Sequence, residues 1–239
     1  MKNIWKAISM IGMLVMLSTA TMTTATARTI KLQARPMNSM EIYHPYSLAI
    51  GYVCSPGFGS NTESDSHTGF NASVEAWQEN YPHSTAYSKE FTEGSQLSNG
   101  FRIHQKELQF IMQEPLNDST QACGVSQTNV HFKIHSAQPT VTLQVSLEYY
   151  SNLFANSNCL SEGVITLRYY DQSYSIQEIT YNFSGNIVQQ DTLVFNLIVP
   201  NTFDGFFELR TRGSVETGLL LQTSYAGSWV ETTLSVTIA

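Results

Sequence analysis

Alternation of apolar and polar residues is the feature that most constrains this chain. Val141, Leu143, Val145, Leu147 and Tyr149 alternate with polar side chains through "VTLQVSLEYY". Successive side chains of an extended strand point to opposite faces, so a period of two marks a strand with one buried face. The same period runs through Phe70, Ala72, Val74 and Ala76, and through Val130, Phe132 and Ile134. It recurs at Leu193, Phe195 and Leu197, and at Leu234, Val236 and Ile238. Less regular strands are expected near residues 29–34, 46–54, 101–105, 107–113, 164–170, 174–183, 206–211 and 215–223. Turn chemistry separates them at Ser55-Pro56-Gly57, Gly94-Ser95, Ser98-Asn99-Gly100, Ser184-Gly185-Asn186, Pro200-Asn201 and Asp204-Gly205.

About eleven to thirteen short strands at near-regular spacing predict an all-β fold, an antiparallel β-sandwich or jelly roll, rather than βαβ units. Residues 104–114 come closest to a helical period and still read as β. The polar run Ser55–Gly69 reads as a mobile surface loop. With no internal repeat and no linker, residues 28–239 are expected to form a single β-sandwich domain.

The first residues carry a different pattern. Lys2 and Lys6 precede an apolar run from Ile8 to Leu17, and Ala25-Thr26-Ala27 follows as a small-residue cleavage pattern. This is the layout of a secretory signal peptide over residues 1–27. The apolar run is well short of the ~20 residues that span a bilayer. The expectation is a secreted or periplasmic protein whose mature chain has no membrane span. The mature chain would carry ten basic against nineteen acidic side chains. That balance argues against nucleic acid and against an anionic membrane surface, both of which require clustered Lys and Arg.

The cysteines are Cys54, Cys123 and Cys159. If strands 128–135 and 140–150 form a hairpin, its outer ends bring Cys123 and Cys159 together. A Cys123–Cys159 disulfide is therefore expected in an oxidising compartment. Cys54, in phase with Leu48, Ile50 and Tyr52, reads as a small buried hydrophobe.

Catalytic signatures are missing: there is no nucleophile elbow, zinc-protease motif, phosphate-binding loop or dinucleotide glycine pattern. His131 and His135 share a strand face with Lys133, which disfavours a cation between them. No cofactor, metal site or catalytic residue is assigned. Trp77 and Tyr81 flank the turn in "WQENYPH", and Trp77 falls out of phase with the buried set from Phe70 to Ala76. Trp77 and Tyr81 are the candidate ligand-binding residues, as exposed rings that stack on sugars.

The closing segment "DTLVFNLIVPNTFDGFFELRTRGSVETGLLLQTSYAGSWVETTLSVTIA" and the stretch "NVHFKIHSAQPTVTLQVSLEYY" resemble bacterial exported β-sandwich proteins of the exosortase-sorted kind. The shared order is an apolar strand, a Pro-containing turn, an aromatic-x-Leu strand and an alternating final strand. The Pro-Glu-Pro motif, apolar helix and basic tail of that kind do not occur in these 239 residues. The resemblance therefore implies the fold and carries over no catalytic residue. The expected function is an exported, non-enzymatic β-sandwich that binds a surface glycan or protein, or contributes to extracellular matrix. The alternatives are a polysaccharide-active jelly-roll enzyme, whose carboxylates would converge only in space, and a pilus-like subunit donating "TIKLQA" to a neighbour.

Overall fold

The computed structural model describes residues 38–55, 59–80, 84–114, 119–156, 158–217 and 223–239. These hold twelve strands: β1 (Ser39–Ser55), β2 (Gly59–Thr68), β3 (Ala72–Asn80), β4 (Ser84–Leu97), β5 (Gly100–Gln113) and β6 (Gln121–His135), then β7 (Thr140–Ala155), β8 (Cys159–Tyr170), β9 (Ile176–Ser184), β10 (Ile187–Pro200), β11 (Asp204–Thr217) and β12 (Ser224–Ile238). No described helix is long and apolar enough to cross a membrane.

The strands form two six-stranded sheets. Sheet A runs β2-β1-β6-β11-β8-β9 and sheet B runs β10-β7-β12-β5-β4-β3. Every pairing is antiparallel, and the inner faces pack together as a β-sandwich. The connectivity has a simple logic. Strands β1–β6 supply β2-β1-β6 to one sheet and β5-β4-β3 to the other. Strands β7–β10 supply β8-β9 and β10-β7. Strand β11 then joins the two parts of sheet A, and β12 joins the two parts of sheet B.

The core is uneven along the strands. At one end, Phe132 stacks on Phe207 and meets Phe101 and Phe203 at ring separations of 5.9–6.1 Å. Leu143, Leu147, Ile165, Leu167 and Leu234 complete this large cluster. At the other end lies a small cluster of Val53, Ala76, Ala86, Ile111, Ala122, Val215 and Ala226. Between them runs a buried polar seam. Gln105 Nε2 donates to Thr128 Oγ1 (3.2 Å) and to the Leu209 carbonyl (3.1 Å), and Thr211 Oγ1 donates to Gln105 Oε1 (2.9 Å). Ser88 and Ser228 each donate to a backbone carbonyl of sheet A, those of Cys123 and Glu162, at 2.9 Å. Short polar side chains reach the opposite backbone only where two sheets approach closely.

Sheet A makes that approach possible with a row of glycines. Gly51 pairs with Gly124, Gly124 with Gly213, and Gly213 with Gly163, across β1, β6, β11 and β8. The missing side chains of Gly51 and Gly124 leave room for Glu90, that of Gly213 for Gln109, and that of Gly163 for Val230 of sheet B.

Several expectations need correction. Residues 59–68, expected as a mobile loop, are strand β2. Strand β4 passes straight through Gly94-Ser95, where a turn was expected, and residues 101–113 are one strand rather than two. In β1 the expected phase is inverted: Ser47, Ala49, Gly51 and Val53 point inward, while Leu48, Ile50, Tyr52 and Cys54 point outward. A β-bulge explains the inversion. Tyr43 pairs with His131 and Tyr46 with Asn129, so β1 spends one extra residue, with His44 at φ 52°. Pro45 sits in this bulge, where a strand tolerates proline.

The cysteine expectation also fails on topology. Strands β6 and β7 lie in opposite sheets and do not form a hairpin. Cys123 points outward from β6. Cys159 lies two strands away, beyond β11, on the inner face beside the small cluster. All three cysteines are free, and the Cys123–Cys159 bridge is not formed. The segment 29–34 lies outside the described residues.

Candidate ligand-binding face

The outer face of sheet B gathers aromatic side chains from five strands. Cross-strand register places them in rows. Trp77 of β3 pairs with Tyr87 of β4, Tyr87 with Phe110 of β5, Phe110 with Gly227 of β12, and Gly227 with Phe154 of β7. At roughly 4.8 Å per strand this row is about 19 Å long. Trp77 meets Tyr87 edge to face at 6.4 Å. Gly227 is needed here because a side chain on it would fill the space of the Phe154 ring. Without one, the ring lies over β12 and closes the row. Tyr225 and Met112 pair on the next step along β12 and β5, and Tyr225 packs on Phe154 at 6.5 Å. Trp77 is 57% exposed, Tyr225 49% and Phe154 40%.

A second row alongside brings Glu75, Lys89, Leu108, Trp229, Asn152 and Val188 into line. Lys89 Nζ holds Glu75 Oε2 at 3.2 Å, an exposed pair of small energetic weight. Lys106 Nζ sits 4.5 Å from the centre of the Trp229 ring, a cation–π contact, and Tyr150 meets the same ring at 5.5 Å. The Trp229 indole N–H donates to Glu231 (3.3 Å), which also faces His104 at 3.4 Å. The Tyr87 phenol is pushed up by burial and by the negative charge of Glu75, so it stays protonated and able to donate.

Polar depressions border the aromatic rows. One of about 130 Å³ is lined by Glu148, Tyr150, Gln190 and Glu231 among others. Another, of about 510 Å³, lies between Glu93, Ser95, Arg102 and His104. The face thus offers flat apolar rings next to hydroxyl, amide and carboxylate groups.

Trp77, picked out from its phase, stands at the end of the first row, and its ring points outward. Tyr81 lies outside the described residues. Tyr87, Phe110, Phe154, Tyr225 and Trp229 were missed. Their grouping depends on strand order, which brings residues 77 and 154 onto one face. His131 and His135 lie on sheet A, where His135 pairs with Glu41 at 2.8 Å. His131 is held below the usual histidine range by burial and the neighbouring His44. Among the described residues no three His, Cys, Asp or Glu side chains group as metal ligands.

No protein-family model matches the chain, and no curated protein matches it. Similar solved structures include the infectious bursal disease virus Gx strain, at 9% identity and a TM-score of 0.16, covering 84% of this chain and 78% of that one. A VP2 subviral particle of the same virus has 9% identity and a TM-score of 0.15, with coverages of 85% and 66%. Likeness at this level carries no argument about fold or function.

Proposed function

We propose that this chain is an exported, non-enzymatic β-sandwich that binds a surface glycan on the outer face of sheet B. The observation that carries this reading is the in-register row Trp77–Tyr87–Phe110–Phe154 on the outer face of the sheet, exposed at its two ends and bordered by polar side chains. Sugar rings present apolar C–H faces that pack on aromatic rings, while their hydroxyls seek donors and acceptors at the edge. An open sheet face suits an extended or surface-displayed polysaccharide better than a small free sugar, which needs an enclosing pocket. Export rests on the signal-type N-terminus.

Binding to soluble and insoluble polysaccharides, with wild type, Trp77→Ala and Tyr225→Ala, tests the proposal. Loss of one stacking ring weakens binding by about tenfold, while the far-exposed position of Trp77 leaves stability within about 0.5 kcal/mol. Failure to bind any glycan would remove the proposal. In that case the same variants assayed against surface proteins would assign the apolar face to a protein partner. Release of reducing sugar from a bound polysaccharide would instead show an enzyme.

A further inference from the structure

The polar seam contains two carboxyl groups with no positive partner. Glu90 on β4 and Glu107 on β5 are direct cross-strand neighbours. Both point between the sheets and both are fully buried. Gln109 Nε2 donates to Glu90 Oε1 at 3.2 Å and to Glu107 Oε2 at 3.3 Å, and Ser88 Oγ donates to Glu90 Oε1. Glu90 Oε2, Glu107 Oε1 and Gln109 Oε1 are left with no donor. At this level the inward positions of β1, β3, β6, β8, β11 and β12 are glycine, alanine, serine, threonine and valine, so none titrates. The ionisable groups that feel the pair lie on the outer faces: Tyr87 of sheet B beside Glu90, and Cys123 of sheet A beside both carboxyls, with Arg212 next to Cys123; Lys89 and Lys106 also point outward from sheet B.

Hydrogen-bond accounting then points one way. Ionised, the pair would place two like charges side by side in a buried interior with three oxygens given no donor by the protein, which is strongly unfavourable. Protonated, each carboxyl becomes a donor, and the cluster gains the hydrogens it lacks. We infer that Glu90 and Glu107 are a protonated carboxyl pair packed between the two sheets, against Gly51 and Gly124 of sheet A, and that losing its protons loosens the sandwich.

The acid strengths agree with the geometry. Burial pushes Glu90 up to about 8. Burial, and secondarily the neighbouring Glu90, raises Glu107 well above the usual carboxylate range. The folded state therefore binds more protons than the unfolded chain, and the sign follows. The stabilisation is fully present below the unfolded glutamate value, near pH 4.5. It declines as pH rises and is lost once pH passes the folded value of about 8 for Glu90.

Urea unfolding from about pH 5 to about pH 8 reads this directly. The wild-type unfolding constant is expected to rise about tenfold per pH unit for each carboxyl that stays protonated only in the fold. Glu90→Gln and the double variant with Glu107→Gln are expected to flatten that slope. Wild-type stability that is constant or rising over this range would overturn the inference. So would an increase in wild-type melting temperature with millimolar calcium or magnesium that Glu107→Gln abolishes, because the pair would then be a cation site. The infrared carbonyl band of a protonated carboxyl in folded wild type at neutral pH provides a reading that survives if the variants do not fold. Its absence would also overturn the inference.

Discussion

A Cβ placed on Gly124 would overlap the Glu90 carboxyl, and one on Gly213 would overlap the Gln109 amide oxygen. These glycines are required for close approach between the sheets, and neither carries a positive φ. Gly124→Ala is expected to cost about 1–3 kcal/mol through overpacking, read as a lower urea midpoint with an unchanged slope. At this scale the sequence is informative in an unexpected place. The stretch "QACGVSQ" draws attention to Cys123, yet Cys123 only faces outward as a free thiol. The glycine beside it is the residue that shapes the interior. Nothing in a single strand marks Gly124, because its partners Gly51, Gly163 and Gly213 become neighbours only through the order of strands in sheet A.

Strands were legible to the extent that their buried faces are apolar. Strands β6, β7, β10 and β12 alternate in plain view. Strand β4 does not, because it buries Ser84, Ser88, Glu90 and Thr92 and turns Tyr87 and Phe91 outward. Hydrophobic periodicity misses a strand whose inward side is polar. Strand β2 was missed because, as the edge strand of sheet A, it keeps almost every side chain in solvent. Trp77 was legible because one ring broke the phase of an apolar strand. The remainder of the aromatic face needed register across five strands. Strand β1 misled through its bulge, which exchanges the faces of everything after Pro45. Deleting His44 removes the extra residue and would drive Leu48, Ile50 and Tyr52 into space built for Ser47, Ala49 and Gly51. The expected outcome is insoluble protein, or a chain that binds a hydrophobic dye and shows no cooperative melting transition.

The fold class and the twelve described strands fall within the range that alternation implied. The pairing did not follow from sequence order, since β6 and β7, adjacent in the chain, belong to different sheets. Non-local pairing of this kind makes the molecule one cooperative unit and slows its folding. Removing residues 224–239 takes β12 from between β7 and β5, with Val230, Leu234 and Val236 of the core. A chain ending at Thr223 is expected to lack a cooperative unfolding transition and to be digested rapidly by protease, whereas residues 38–239 are expected to unfold cooperatively and to resist digestion.

The two joining strands also set an order in time. Of the twelve described strands, β11 and β12 are synthesised last, and each enters the middle of its sheet rather than its edge. A nascent chain that has emerged only as far as Pro200 holds four partial sheets with their central edges open. Strands β1–β6 can already face one another, but the large cluster lacks Phe207 and Leu209 of β11 and Val230, Leu234 and Val236 of β12 until these arrive. The large apolar core therefore closes only once β11 and β12 have been made, and its faces stay open until then.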